Sequence, residues 1–354
     1  MYETYYGLSG KPFQLNPDPS FFFGSRGHKR AFAYLQYGVY QSEGFIVITG
    51  EVGAGKTTIV RNLFEQLDRS QLVAAQLVST HLDADDMLRA VSTAFGLPTR
   101  AVDKATLLAS LEAFLCQLAI ERKRALLVVD EAQNLSPRAV EELRMLSNFQ
   151  FQDQALLQSF LIGQPELRAM MQSPQMQQLR QRVIASYHLG PMDKQETQGY
   201  VEHRLAHVGW KGDPKFGADA IDLIHTISGG IPRRINLLCN RLMLAGFLGE
   251  KHAFNAADVQ AIAREIREEL GPEAASLAAV PSAARDAVLP SAARDAQVSA
   301  MPARAPDAEF LEHVRDIEER MDRLEKTVGT AVDLLHRLLH PERPTTKPGT
   351  PAKR

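Results

Sequence analysis

The eight residues Gly50–Thr57, Gly-Glu-Val-Gly-Ala-Gly-Lys-Thr, constrain this chain more than any other stretch. They fit the pattern G-x-x-x-x-G-K-[ST] at every fixed position. The apolar run Phe45–Thr49 before them reads as a buried strand, and residues 57–67 after them read as a helix. Strand, glycine-rich turn and helix in that order gather backbone N–H groups at a helix N-terminus, where an anion is held. Gly50, Gly53 and Gly55 let the backbone curl, and Glu51, Val52 and Ala54 complete the turn. Lys56 reaches the β- and γ-phosphates of a bound nucleotide, the Thr57 hydroxyl suits Mg²⁺, and Thr58 closes the candidate binding set.

A second constellation lies downstream in Arg124-Ala-Leu-Leu-Val-Val-Asp130-Glu131. An apolar run that ends in two carboxylates delivers both to the mouth of a sheet. Asp130 suits Mg²⁺ through its water shell, and Glu131 suits polarising an attacking water.

Between and around these motifs, residues 45–191 alternate short apolar runs with helical patterns, which predicts a parallel sheet covered by helices. The expected strands are 45–49, 72–78, 125–130, 157–162 and 184–189. Residues 1–44 form an N-terminal segment, rich in Pro and Phe at first, with a helix expected over 29–41. Residues 193–269 show helical periodicity alone, enough for three or four helices. Residues 270–308 are rich in Ala, Pro and Ser and repeat Pro-Ser-Ala-Ala-Arg-Asp-Ala at 281–287 and 290–296. So few large apolar side chains predict a disordered linker. Over 309–340 the spacing of Phe310, Val314, Ile317, Met321, Leu324, Val328, Ala331, Leu335 and Leu338 is a heptad seam. It predicts a coiled-coil helix that self-associates; one amphipathic helix docked on the body is the other reading. Residues 341–354 are expected as a disordered tail.

Composition excludes several classes. The formal net charge of the 354 residues is −2, so no global basic field points to nucleic acid. The two cysteines, Cys116 and Cys239, lie among apolar neighbours at a spacing that suits neither a metal site nor a redox pair. The start Met-Tyr-Glu-Thr-Tyr-Tyr-Gly has neither a basic nor an apolar region, so it does not read as a signal peptide. No apolar run approaches a membrane span. A cytoplasmic protein is the expectation. Met170, Met171 and Met176 read as packing residues, and Ser79 and Thr80, at the end of the second strand, are candidates to hold Glu131 off line.

The phosphate loop, the Asp-Glu strand end and the all-helical region after them resemble the AAA+ class of P-loop NTPases. More narrowly, residues 12–21 (Pro-Phe-Gln-Leu-Asn-Pro-Asp-Pro-Ser-Phe), the loop, and residues 129–135 (Val-Asp-Glu-Ala-Gln-Asn-Leu) resemble the general secretion pathway protein A ATPases. Within that group the likeness is to the ATPase associated with exosortase, the PEP-CTERM sorting system that accompanies exopolysaccharide export. The resemblance covers residues 1–268. It implies a three-layer αβα core with a C-terminal all-helical lid, ATP and Mg²⁺ as cofactors, and a homo-oligomer with shared ATP sites. It also implies three further site residues. Gln164, at the end of Ser159-Phe-Leu-Ile-Gly-Gln164, is the polar sensor. Arg182 is the arginine that reaches the γ-phosphate on a neighbouring subunit, with Arg180 as its rival. Arg233, in Gly-Gly-Ile-Pro-Arg (229–233), is the lid sensor, ahead of Arg234.

These residues predict an ATP-binding and ATP-hydrolysing motor or regulator of secretion or polysaccharide export. An ATP-dependent DNA-binding adaptor of the transposition-target type is the alternative, disfavoured by the charge balance. A scaffold that binds nucleotide without turning it over is the third reading.

Overall fold

Strand β1 (Phe45–Gly50) is buried at every residue, and alternate side chains feed two different cores. Phe45 and Val47 pack on one face of the sheet, Ile46 and Ile48 on the other. Such a run requires helices on both sides, and the computed structural model supplies them. It describes residues 1–78, 82–100 and 102–274.

The strands after β1 are β2 (Leu72–Val78), β3 (Arg124–Asp130), the two-residue pair β4 (Gln150–Phe151) and β5 (Gln154–Ala155), β6 (Leu157–Gly163) and β7 (Val183–Leu189). Five of them form one parallel sheet in the order β2-β3-β6-β1-β7. All five expected strands are present, within one residue at each end. Parallel pairing brings the carboxyl ends of β1, β3 and β6 to one edge, where ligands of such sheets bind.

Helices α1 (Tyr2–Tyr5), α2 (Arg26–Gln41) and α3 (Lys56–Gln66) precede β2. Ala31 and Leu35 of α2 and Ile59, Val60 and Leu63 of α3 cover Ile46, Ile48, Leu126, Val128 and Phe160. Helices α4 (Ala84–Ala94), α5 (Lys104–Ile120), α6 (Pro137–Leu146), α7 (Pro165–Gln172) and α8 (Gln177–Arg180) follow in order. Met87, Leu88, Leu111, Val140, Leu143 and Leu167 from this set cover the other face with Leu127, Val129 and Leu161. Each fully buried Leu or Ile contributes about 1.5–3 kcal/mol, so both layers are needed. Cys116 belongs to this core as a partly buried thiol, and Met170, Met171 and Met176 pack there as expected.

The helical region consists of α9 (Lys194–His207), α10 (Ala218–Ser228), α11 (Pro232–Leu248) and α12 (Ala256–Ala274), with a small pair of strands, β8 (Lys215–Phe216) and β9 (Ala253–Phe254). Helix α9 opens on a capping box between Asp193 and Glu196. Helix α11 opens on Pro232, whose missing N–H costs nothing there. Helix α12 runs to Ala274, past the boundary expected at 269 and through Gly271-Pro272, against the propensity of those two residues. Cys239 is fully buried in this lid.

The N-terminal segment divides between these bodies. Tyr2, Tyr6, Leu8, Phe13 and Phe21 lie in the lid core beside Leu205, Ile235, Leu242 and Val259, whereas α2 lies on the sheet. Tyr2 Oη donates to Asn240 Oδ1 at 2.8 Å, and Tyr6 Oη to the Lys251 carbonyl at 2.9 Å. Among the described residues, no helix is long and apolar enough to cross a membrane. The linker beyond Ala274, the heptad segment 309–340, the tail, and Ser79 and Thr80 lie outside the described residues.

Candidate nucleotide site

The turn after β1 places Lys56 at the first position of α3, where its side chain is buried. Its Nζ donates to the carbonyls of Gly50 at 2.7 Å and Glu51 at 3.0 Å. Burial lowers its proton affinity, opposed by the charges of Glu131 and Asp130. Gly53 has φ +80 and Gly55 φ +98, values that L side chains rarely adopt. Val52, Gly53, Gly55, Lys56, Thr57 and Thr58 line one cavity; Gly50 and Glu51 contribute their carbonyls to Lys56, and the Ala54 side chain is buried.

Thr57, in the helix after β1, and Asp130, at the end of β3, come together across the intervening strand β6. Thr57 Oγ1 donates to Asp130 Oδ2 at 3.0 Å. Asp130 is buried, and burial raises its pKa against the Thr57 hydroxyl and the Glu131 N–H, which favour the anion. A hydroxyl and one carboxylate fit Mg²⁺, which binds few protein oxygens and keeps water and phosphate oxygens for the rest. Among the described residues no group of three or more His, Cys, Asp or Glu converges as a metal site, so a full protein cage is not offered.

Glu131 turns the chain at φ +53 and ψ +39, a left-handed conformation worth about 1–2 kcal/mol of strain in a non-glycine residue. Its backbone N–H donates to Asp130 Oδ1 at 3.0 Å. Its Oε2 accepts from Gln133 Nε2 at 2.6 Å and from Gln164 Nε2 at 3.0 Å. Gln133 Oε1 in turn accepts from the Gln164 N–H at 2.9 Å. Burial raises the Glu131 pKa, but the two amides and Lys56 together outweigh it and leave the group below its ordinary value. Gln164 is the residue before α7 and makes no capping bond there, so its amide is free for Glu131. Gln133 was not singled out by sequence; its place two residues after Glu131 is the only signal.

Arg233 sits against the loop. Its N–H donates to the Gly53 carbonyl at 3.2 Å, and it lines the cavity, whereas Arg234 does not. Arg182 stands elsewhere. Its carbonyl accepts from the Phe45 N–H at 2.9 Å, which puts it at the amino end of β1, roughly 17 Å from the loop. Its Nη1 donates to the Ser147 carbonyl at 3.3 Å and hydroxyl at 3.1 Å. Arg180 is tied to the Met171 and Ser173 carbonyls at 2.6 and 2.7 Å. Neither arginine reaches the cavity of its own chain.

The rest of the cavity wall was not foreseen. The segment Gln14–Asp18 with Phe21, Phe22 and Phe23 forms one side, and Tyr200, Arg204 and Asn236 of the lid form another. Arg204 Nη2 and Asn236 Nδ2 both donate to the Gln14 carbonyl, at 2.9 and 3.3 Å. The Arg204 guanidinium also lies 4.6 Å over the Phe21 ring. The Pro and Phe content of 12–23 marked the segment as unusual, but nothing in it pointed to the loop.

A five-stranded parallel sheet with helices on both faces, a glycine-rich loop at its carboxyl edge and a helical lid over that loop define a P-loop domain of the AAA+ fold. Known proteins agree. Residues 39–171 match the family model described as an AAA domain. General secretion pathway protein A of Aeromonas hydrophila is 40% identical over 268 residues, 75% of this chain and 48% of that protein. The chain therefore spans about half the length of this curated relative. Among solved structures, Cdc6p from Pyrobaculum aerophilum superposes with a TM-score of 0.56 at 16% identity, over 73% of this chain and 71% of its own. The ADP form of the Aeropyrum pernix ORC2 protein does so with 0.52 at 17% identity, over 69% of each chain. At such identities the likeness is one of fold.

Proposed function

We propose that this chain binds ATP with Mg²⁺ and hydrolyses it. The observation that carries the reading is the Thr57–Asp130 hydrogen bond beside Lys56 and Glu131, at the mouth of a lid-covered cavity. Lys56 exchanges its two carbonyl partners for phosphate oxygens, and the N–H groups of the loop hold the rest of the phosphate chain. Thr57 and Asp130 would hold Mg²⁺, which neutralises phosphate charge when bound. Glu131, kept ionised by its amide partners, orients and deprotonates the attacking water. Gln164 and Gln133 fix its carboxylate. Arg233 closes the lid onto the loop.

Arg182 acts on a second copy of the chain. Its distance from its own loop leaves that as its route to a γ-phosphate, where a planar, permanent charge suits the transition state. The sites are then shared within a homo-oligomer.

The pathway is secretion, on the strength of the Aeromonas relative's name, and within it exopolysaccharide export or exosortase-linked sorting, on the sequence likeness of 12–21, 50–57 and 129–135. Titration of the full chain with a fluorescent ATP analogue tests the first step. Lys56→Ala is expected to abolish binding; retained tight binding would refute the site.

A further inference from the structure

The phosphate loop rests on one buried imidazole that belongs to none of its motifs. His28, in the first turn of α2, is 5% exposed. Its Nε2 lies 2.9 Å from the Ala54 carbonyl, and its Nδ1 lies 2.6 Å from Ser25 Oγ. A carbonyl only accepts, so Nε2 carries the hydrogen. Burial favours the neutral ring, so Nδ1 is the acceptor and the Ser25 hydroxyl the donor. Ser25 Oγ also accepts from the His28 N–H at 3.3 Å, as the cap of α2. The Ala54 carbonyl therefore sets the tautomer, and Ser25 holds the ring from its other nitrogen.

The bond to Ala54 has a consequence for the anion seat. In a trans peptide the carbonyl and the following N–H point in opposite directions. A carbonyl of Ala54 held toward His28 aims the N–H of Gly55 away from the ring, and His28 and Gly55 both line the cavity. The ring also fills the space beside Gly55, where an added Cβ would lie 2.6 Å from Nε2. The turn that carries His28 is itself anchored. The Arg26 N–H donates to Glu196 Oε1 at 2.8 Å, and its guanidinium pairs with Glu196 and Asp193 at the start of α9. Residues 25–28 thus join the phosphate loop on one side to the first lid helix on the other.

We infer that His28 is a positioning residue for the nucleotide phosphates: through the Ala54 carbonyl it presets the Ala54–Gly55 peptide in the orientation that binds an anion, with Ser25 holding the ring in place. The inference rests on the proposed nucleotide reading of the cavity.

The test is a titration of the full chain with a methylanthraniloyl ATP analogue. The variants are His28→Ala, His28→Gln and Ser25→Ala beside wild type and Lys56→Ala, with nucleotide-free melting curves in parallel. His28→Ala is expected to bind at least about tenfold more weakly, the effect of leaving one buried carbonyl without its donor. His28→Gln, whose amide N–H reaches as far as Nε2, is expected to stay within about threefold of wild type even where it lowers the melting temperature. That split separates positioning from general stability. Where His28→Ala fails to fold, Ser25→Ala is read in its place, and weakening of about threefold or more is expected. Wild-type affinity in His28→Ala, or in Ser25→Ala when that is read, overturns the inference, as does His28→Gln losing as much affinity as His28→Ala. A wild type that binds no better than Lys56→Ala overturns the nucleotide reading itself, and this inference with it.

Discussion

Substituting Gly53→Ala probes the joint between the phosphate loop and the lid. Gly53 has φ +80, and an added Cβ would stand 2.3 Å from Arg233 Cβ and 3.0 Å from Arg233 Cδ. Carbon atoms pack at about 3.5–4 Å, so the loop or the start of α11 must move by more than about 1 Å. That movement strains the Arg233 N–H···Gly53 carbonyl bond of 3.2 Å, worth about 0.5–1.5 kcal/mol. The left-handed backbone costs an alanine about 1–2 kcal/mol more. An empty loop relieves part of this by relaxing, but a loop wrapped on phosphate has no such freedom. The penalty of about 2–3 kcal/mol therefore falls on binding and weakens it by roughly 30- to 150-fold. Equilibrium titration with a fluorescent ATP analogue reads the change, and melting curves without nucleotide show how little the apo fold loses. Affinity within about threefold of wild type would refute the argument that loop and lid are locked together at this residue.

Two other outcomes are expected. Arg182→Ala should keep nucleotide binding and lose turnover, and mixing it with Glu131→Gln subunits should restore part of the activity, because one intact site forms between them. No restoration would count against a site shared between copies. His28 is buried neutral, with its pKa lowered from about 6.5, so the unfolded chain takes up the proton first as pH falls. Its stabilising effect is complete above about pH 6.5 and is lost below it, by up to about 1.4 kcal/mol per pH unit. The melting temperature of wild type should fall more steeply between pH 6.5 and pH 5 than that of His28→Gln; parallel curves would show that the ring is not held neutral.

Much of the frame was legible because it rests on local signals. Runs such as Leu126–Val129 bury every residue, so their continuous apolar character marks a strand covered on both faces. The loop pattern fixed the end of β1, and Pro232 fixed the start of α11 within one residue. The site was harder to read. Lys56, Thr57, Asp130 and Glu131 are named by motif, but the hold on Glu131 comes from Gln133 and Gln164, 31 residues apart in sequence, with no pattern to join them. The wall made by Gln14–Phe23 depends on contacts such as Arg204 to Gln14, across 190 residues, and aromatic residues without periodicity carry no address. His28 carries no signal in the sequence, because a bond to a backbone carbonyl leaves no trace in side-chain composition. Arg182 shows the converse: its place at the far end of the sheet is plain in the structure, while the role proposed for it needs a second copy.

The central claim is that Glu131 activates water at a nucleotide held by Lys56. Phosphate release from ATP and Mg²⁺ by the full chain, compared between wild type and Glu131→Gln with analogue binding measured in parallel, tests it most directly. The account predicts release by wild type and a fall of at least about 10²-fold in Glu131→Gln, with nucleotide still bound. Equal rates in the two proteins, or a wild type that binds ATP and releases no phosphate above background, would contradict it.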